Sequence, residues 1–151
     1  MFEPSLRIRQ FHSKDLDALH VIDFLCFPND IAYSRRDFLC CLSQTGSMTR
    51  IAEMPGGIVG FILGRIENIR YGHILTLDVV PAARRRGIAL ALMEDLHRIL
   101  KQRNISAAVL EVGTNNLAAK CLYERLHYRY IETLPGYYNG TEDAYRMMRL
   151  I

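Results

Sequence analysis

The chain has no apolar run approaching the ~18 residues of a membrane span, and its N-terminal segment lacks the basic, apolar and small-residue order of a secretory signal. A membrane-embedded or exported protein is not expected; a soluble, cytoplasmic one is. Its four cysteines, Cys26, Cys40, Cys41 and Cys121, contain no CxxC pair and no ligand-like spacing with the five histidines. Neither a metal site nor a disulfide framework is expected, and each thiol, lying in an apolar helical run, should be reduced and buried. No GxGxxG follows a first strand and no GxxxxGKS/T occurs, so the dinucleotide fingerprint and the nucleoside triphosphate loop are both missing. The formal charge is only +3. With no broad basic face and no interleaved aromatic platform, a nucleic-acid partner is a poor fit.

What is present suits one compact domain over residues 1–151, since 151 residues at 50% hydrophobic can build a core without covalent staples. Residues 6–11 alternate as a half-buried strand. Ser13 is a plausible N-cap for a helix carrying Leu16, Leu19, Ile22 and Phe24 to Cys26, and a loop over 27–34 leads to a second helix capped by Ser34, with Phe38, Leu39 and Leu42 on its apolar face. Three strand-like runs follow at 48–54, 58–66 and 73–80. The pattern then gives a helix over 86–103 with Ile88, Leu92, Leu96 and Ile99 on one face, Asn104 as its left-handed stop, a strand at 107–112 and a helix at 117–126. Two alternating runs, 128–133 and 143–150, enclose a loop containing Pro135, Gly136, Asn139 and Gly140, which predicts a terminal hairpin with a long tip. The order β-α-α-β-β-β-α-β-α-β-β predicts an α/β domain with a mixed sheet of about seven strands and four helices, with residues 74–112 forming a right-handed βαβ unit.

The most telling stretch is ILTLDVVPAARRRGIALAL, residues 74–92. A strand that meets a helix start through a short basic turn with a glycine gathers unpaired N–H groups, a dipole end and guanidinium donors, which suits a diphosphate; a solvated basic helix start has the same composition. Of the positive charges, Arg84, Arg85, Arg86 and Arg98 lie in or near that turn and its helix. The spacing Q/R-x-x-G-x-G/A, present as Arg84, Gly87 and Ala89, resembles the acetyl-CoA signature of the GNAT acetyltransferase superfamily, whose element order also matches across nearly the whole chain. Within that superfamily the chain is similar to the protein N-terminal acetyltransferases, the bacterial ribosomal-protein alanine type and its archaeal relatives. The similarity is carried by Cys26-Phe27-Pro28, Leu110-Glu111-Val112, Asn116, Leu122-Tyr123-Glu124, Tyr137-Tyr138-Asn139-Gly140 and Glu142-Asp143-Ala144-Tyr145.

The resemblance implies that Leu77, Asp78 and Val79 present strand backbone to the pantetheine arm and that Arg84, Arg85, Arg86, Gly87, Ile88, Ala89 and Leu90 cradle the pyrophosphate. It implies acetyl-CoA as acetyl donor and a protein or peptide N-terminus as acceptor. Asn116 would touch the cofactor, or act only as the N-cap of its helix. Glu111 is matched to the general base and Tyr123 to the general acid. The bland readings are a strand-end acid paired with an arginine and a core aromatic. A weak carboxylate base suits an α-amine of pKa ~8 far better than a lysine at ~10.4. Tyr33 and Tyr138, in two loops, are the implied substrate contacts. Three positions depart from the pattern: Arg84 stands where many relatives have glutamine, Gly113 where the bacterial relatives have a charge, and His127 where a glycine would supply the left-handed helix stop. Acetylation of a lysine, polyamine or small amine on the same fold, and an acyl-CoA-binding module without turnover, are the competing functions.

Overall fold

A computed structural model describes residues 5–27 and 31–151. Pro28, and with it part of the Cys26-Phe27-Pro28 match, lies outside the described residues. The described elements are β1 (Arg7–Gln10), α1 (Leu16–Cys26), α2 (Arg35–Ser43), β2 (Ser47–Met54), β3 (Gly57–Glu67), β4 (Tyr71–Val79), α3 (Ile88–Gln102), β5 (Ala107–Gly113), α4 (Leu117–Arg125), β6 (Arg129–Tyr138) and β7 (Glu142–Leu150). The strands form one sheet in the order β1-β2-β3-β4-β5-β7-β6. Only β4 and β5 run parallel, joined by α3 as the βαβ pattern requires. The α/β class and the expected element order both hold.

Helices cover both faces of the sheet. On one, Leu92, Met93, Leu96 and Leu100 of α3 pack over Ile62, Ile74, Leu110 and Met147. On the other, Leu19 and Ile22 of α1 and Phe38 of α2 pack over Ile51, Phe61 and Leu63. Each fully buried side chain of this size contributes about 1.5–3 kcal/mol. Several expected details differ. The buried stripe of α3 ends in Leu100, with Ile99 half-buried, and α3 starts at Ile88, two residues late, because Arg85 and Gly87 adopt left-handed backbone. In α1 the inward face is Leu19, Ile22 and Asp23, while Phe24 and Leu25 point to solvent; Leu39 of α2 does the same. Ser13 is not a cap: residues Ser13–Asp15 form a 3-10 turn whose Asp15 carboxylate accepts the His12 N–H at 2.8 Å. Cys40 and Cys121 are exposed and Cys26 and Cys41 half-buried, although all four thiols are free. The terminal hairpin has a short tip, since β6 continues to Tyr138 through an irregularity after Leu134.

One irregularity shapes the centre of the sheet. Leu63 lies opposite Thr76 and Gly64 opposite Ile74, so Leu75 is an extra residue in β4, a β-bulge. The pairing of β4 with β5 is confined to Gly72 with Ala108, His73 with Val109 and Ile74 with Leu110. Beyond that point the strands part, β4 running on to Val79 and β5 to Gly113.

His127 is left-handed at φ 67°, and the Tyr128 N–H reaches back to the Tyr123 carbonyl at 2.9 Å, closing α4. Histidine carries a steric cost there that glycine does not. His127→Gly is expected to raise stability by about 0.5–1 kcal/mol in denaturant unfolding; an unchanged or lower midpoint would show that the turn is not strained.

Candidate active site

At the fork between β4 and β5 a row of charges crosses the sheet with alternating sign. Arg65 and Glu67 of β3 pair at 2.5 Å, and Tyr71 donates to Glu67 at 2.8 Å. Glu67 faces His73 Nδ1 at 3.0 Å, and His73 Nε2 faces Glu111 at 2.8 Å. Arg146 of β7, opposite Glu111 in register, reaches it at 3.5 Å and Glu132 of β6 at 2.5 Å. Burial works against a charge on His73, but carboxylates at both ring nitrogens, Glu111 first and then Glu67, outweigh it and raise its pKa. An imidazolium donates to both; a neutral ring would turn a lone pair on one of them. Burial also opposes ionisation of Glu67, yet the hydrogen bonds from Arg65, His73 and Tyr71 prevail and bring its pKa down to about 2.

Glu111 lies at the first position of β5 beyond its last pairing with β4 and lines a cavity of about 90 Å³. Tyr33, Tyr137, Tyr138, Phe27 and Leu75 supply most of its apolar and aromatic wall, with His73, Thr76 and Asp23 among its polar groups. Tyr137 lies within electrostatic reach of Glu111, and the ring of Tyr138 stands edge-on to Tyr137 at 5.0 Å. Tyr33 is held by its N–H on the Asp23 carboxylate at 2.8 Å and by edge-on packing against Phe38 at 5.8 Å.

The turn before α3 forms the second half of the site. Arg85 at φ 63° and Gly87 at φ 78° are left-handed and follow an extended Arg84, and between the Arg84 N–H, bonded to the Pro81 carbonyl, and the Ala91 N–H, bonded to the Gly87 carbonyl, no N–H of residues 85–90 has a backbone acceptor among the described residues. These N–H groups at a helix start form an anion nest reinforced by the dipole. A Cβ on Gly87 would project into open space, so the mouth of the nest is clear for a ligand. The donor set fits a pyrophosphate.

The structure brings Glu111, Tyr33 and Tyr138 to one cavity, and it places Arg85, Arg86, Gly87, Ile88, Ala89 and Leu90 in the nest. Tyr123 comes from the opposite face of the sheet on α4; it is buried, packs edge-on against Tyr128 at 5.9 Å and lies within electrostatic reach of Tyr138, which is within reach of Glu111. Burial raises its pKa, so the phenol keeps its proton. Leu77, Asp78 and Val79 pair with β3 on one edge and face the fork on the other. The Val79 carbonyl is already taken by the Cys26 thiol at 3.4 Å and by Arg84 Nε at 3.1 Å, so Arg84 braces the end of β4 as well as the turn. Asn116 caps α4, accepting the Ala119 N–H at 3.2 Å. Arg98 is no part of the nest: it is ten residues into α3 and pairs with Asp95 at 2.7 Å. His73, Arg146 and Asp23 escaped the sequence reading, and Tyr137 entered it only as part of the Tyr137-Tyr138-Asn139-Gly140 match. The βαβ pattern gave the pairing of β4 with β5 but not its register, and register is what sets His73 beside Glu111.

The profile of the acetyltransferase (GNAT) family matches residues 14–128. An N-alpha-acetyltransferase of Saccharolobus solfataricus is 32% identical over 154 residues, covering 94% of this chain and 91% of that one. Among solved structures, the ribosomal-protein-S18-alanine N-acetyltransferase from Escherichia coli superposes with a TM-score of 0.89 at 25% identity, covering 97% of this chain and 94% of the other. Arabidopsis thaliana NAA60 in complex with acetyl-CoA does so with a TM-score of 0.86 at 25% identity, covering 97% and 99%.

Because the pKa of Glu67 is depressed by folding, its contribution is complete above the ordinary carboxylate value and fades as pH falls towards about 2. Glu67→Gln is expected to lower unfolding stability by roughly 1–3 kcal/mol at neutral pH, with the gap closing between about pH 4.5 and pH 2. A gap independent of pH would contradict the charge row.

Proposed function

The chain belongs to the acetyltransferase (GNAT) family and uses acetyl-CoA as acetyl donor, and from that premise we propose that residues 1–151 act as one cytoplasmic domain acetylating the N-terminal α-amine of a protein. Relatives named as N-alpha-acetyltransferases support N-terminal acetylation as the activity. The E. coli neighbour acts, by its name, on a ribosomal protein with an N-terminal alanine, and a small first residue suits a cavity of about 90 Å³. The observation that carries the reading is Glu111, held between His73 and Arg146 inside an aromatic-walled cavity at the mouth of the fork.

In this reading the N–H groups of residues 85–90 hold the pyrophosphate and the free edge of β4 at Leu77 to Val79 orients the pantetheine arm. The acceptor enters between Tyr33 and Tyr138. Its amine gives up a proton, through water, to Glu111, whose charge is balanced by His73 and Arg146. The nitrogen lone pair then forms the new C–N bond as the C–S bond breaks; the departing thiolate takes the Tyr123 hydroxyl proton, and the proton still held by the acylated nitrogen leaves through water and restores the Tyr123 phenol. A phenol kept protonated by burial serves as a hydrogen-bond donor to the developing negative charge.

The test is thiol release from acetyl-CoA with free-N-terminus peptides, N-blocked lysine peptides and small amines. Turnover on free α-amines is expected; turnover on lysine peptides alone would overturn the proposal. Glu111→Gln should cut the rate by about 10²-fold or more, most strongly at acidic to neutral pH where the amine is protonated. Tyr123→Phe should slow the chemical step by about 10-fold or more with little change in the KM for acetyl-CoA. Full activity in both variants would contradict the assigned roles.

A further inference from the structure

Asp23, which lines the acceptor cavity, and Asp78 are neighbouring carboxyl groups, each only 1% exposed. Two carboxyl groups buried together carry a large cost unless something cancels one of the charges. One oxygen of each is satisfied: Asp23 Oδ2 accepts the Tyr33 N–H at 2.8 Å and Asp78 Oδ1 accepts the Thr76 hydroxyl at 2.5 Å. The other two, Asp23 Oδ1 and Asp78 Oδ2, are buried without a donor among the described residues. The two side chains are within hydrogen-bonding reach of each other. Two carboxylate oxygens cannot bond to one another, but a carboxyl and a carboxylate can, and one proton satisfies both orphans together.

Among the described residues no other donor meets the two orphan oxygens, although the Arg84 guanidinium lies close enough for its charge to favour an ionised Asp78. Around the pair lie Thr76, already donating; the Cys26 thiol, turned to the Val79 carbonyl; Arg84, whose Nε is also on that carbonyl; and the Tyr33 N–H. Tyr123 adds only a distant electrostatic influence. Burial and the neighbouring Asp23 hold the Asp78 carboxyl well above the usual carboxylate range.

We propose that Asp23 and Asp78 share a single proton in a carboxyl–carboxylate hydrogen bond that clamps α1 to β4 and so positions Tyr33 over the acceptor cavity. The clamp ties the helix that leads into the acceptor loop to the strand that carries the free edge of the fork. Asp23 and Asp78 are positioning residues, acting through Tyr33. The inference rests on the cavity being the acceptor site, but the shared proton itself is independent of that reading.

Infrared spectroscopy tests the proton directly. Near neutral pH the unmodified protein should show one protonated-carboxyl C=O band, which Asp78→Asn removes because its amide can donate to an ionised Asp23. Absence of that band, or its survival in D78N, sinks the proposal whatever the enzyme acetylates. Kinetics test the positioning: Asp78→Ala, which deletes the bond, should raise the KM for the acceptor peptide about tenfold while the KM for acetyl-CoA moves about twofold or less, and D78N should raise the peptide KM by only about threefold. Equal effects of the two variants, or an effect confined to acetyl-CoA, would overturn the positioning role. The isosteric D78N keeps the spectroscopic arm decisive if D78A does not fold.

Discussion

The separation of two parallel strands is the constraint on which this molecule is built. One extra residue, Leu75, puts β4 out of step with its antiparallel neighbour, and the pairing with β5 is confined to three residue pairs. A sheet cannot ordinarily leave strand edges unpaired at its centre, because each exposed N–H and C=O there needs a partner. A fork of this kind is stable where something else meets those groups. The pantetheine arm of acetyl-CoA, with its amides, has the chemistry to do so, and the nest at the start of α3 lies at the end of the same strand to take the phosphates.

Everything chemical is arranged around that fork. The charge row from Arg65 to Glu132 crosses β3, β4, β5, β7 and β6 with each charge next to its opposite, so Glu111 is buried without being isolated. The two faces contribute differently: Glu111 and His73 line the aromatic-walled cavity, with Arg146 paired to Glu111, while Tyr123 lies on α4 in the core on the side of α3. The proposed base and the proposed acid thus come from opposite faces of the sheet. The acidic pair beneath Tyr33 then fixes the acceptor side to the donor side through a single hydrogen bond.

Much of this was legible in the sequence, for identifiable reasons. Periodicity set by burial gave the order of strands and helices, and the basic turn with Gly87 and Ala89 marked the nest because few residue types tolerate such a backbone. His127 was readable as a left-handed stop from its place after Leu126, and Ser34 and Asn116 as caps from theirs. The bulge at Leu75 was not legible, since nothing in its side chain differs from a regular strand residue; the register that sets His73 beside Glu111 was hidden with it. Asp23 was unreadable for another reason. On a helical wheel it falls in an apolar stripe, and only its long-range partner Asp78 makes burial tolerable. Helix ends and cysteine exposure failed where tertiary packing overrode local composition, as for Phe24, Leu25 and Cys121.

Amide hydrogen exchange with and without acetyl-CoA probes the fork and the nest in one measurement. Protection is expected in two separated stretches, residues 76–80 and residues 85–90, with little change along β1, β2 and β6. Binding of acetyl-CoA that leaves both stretches exchanging at their free rate would contradict a cofactor seated between β4 and β5.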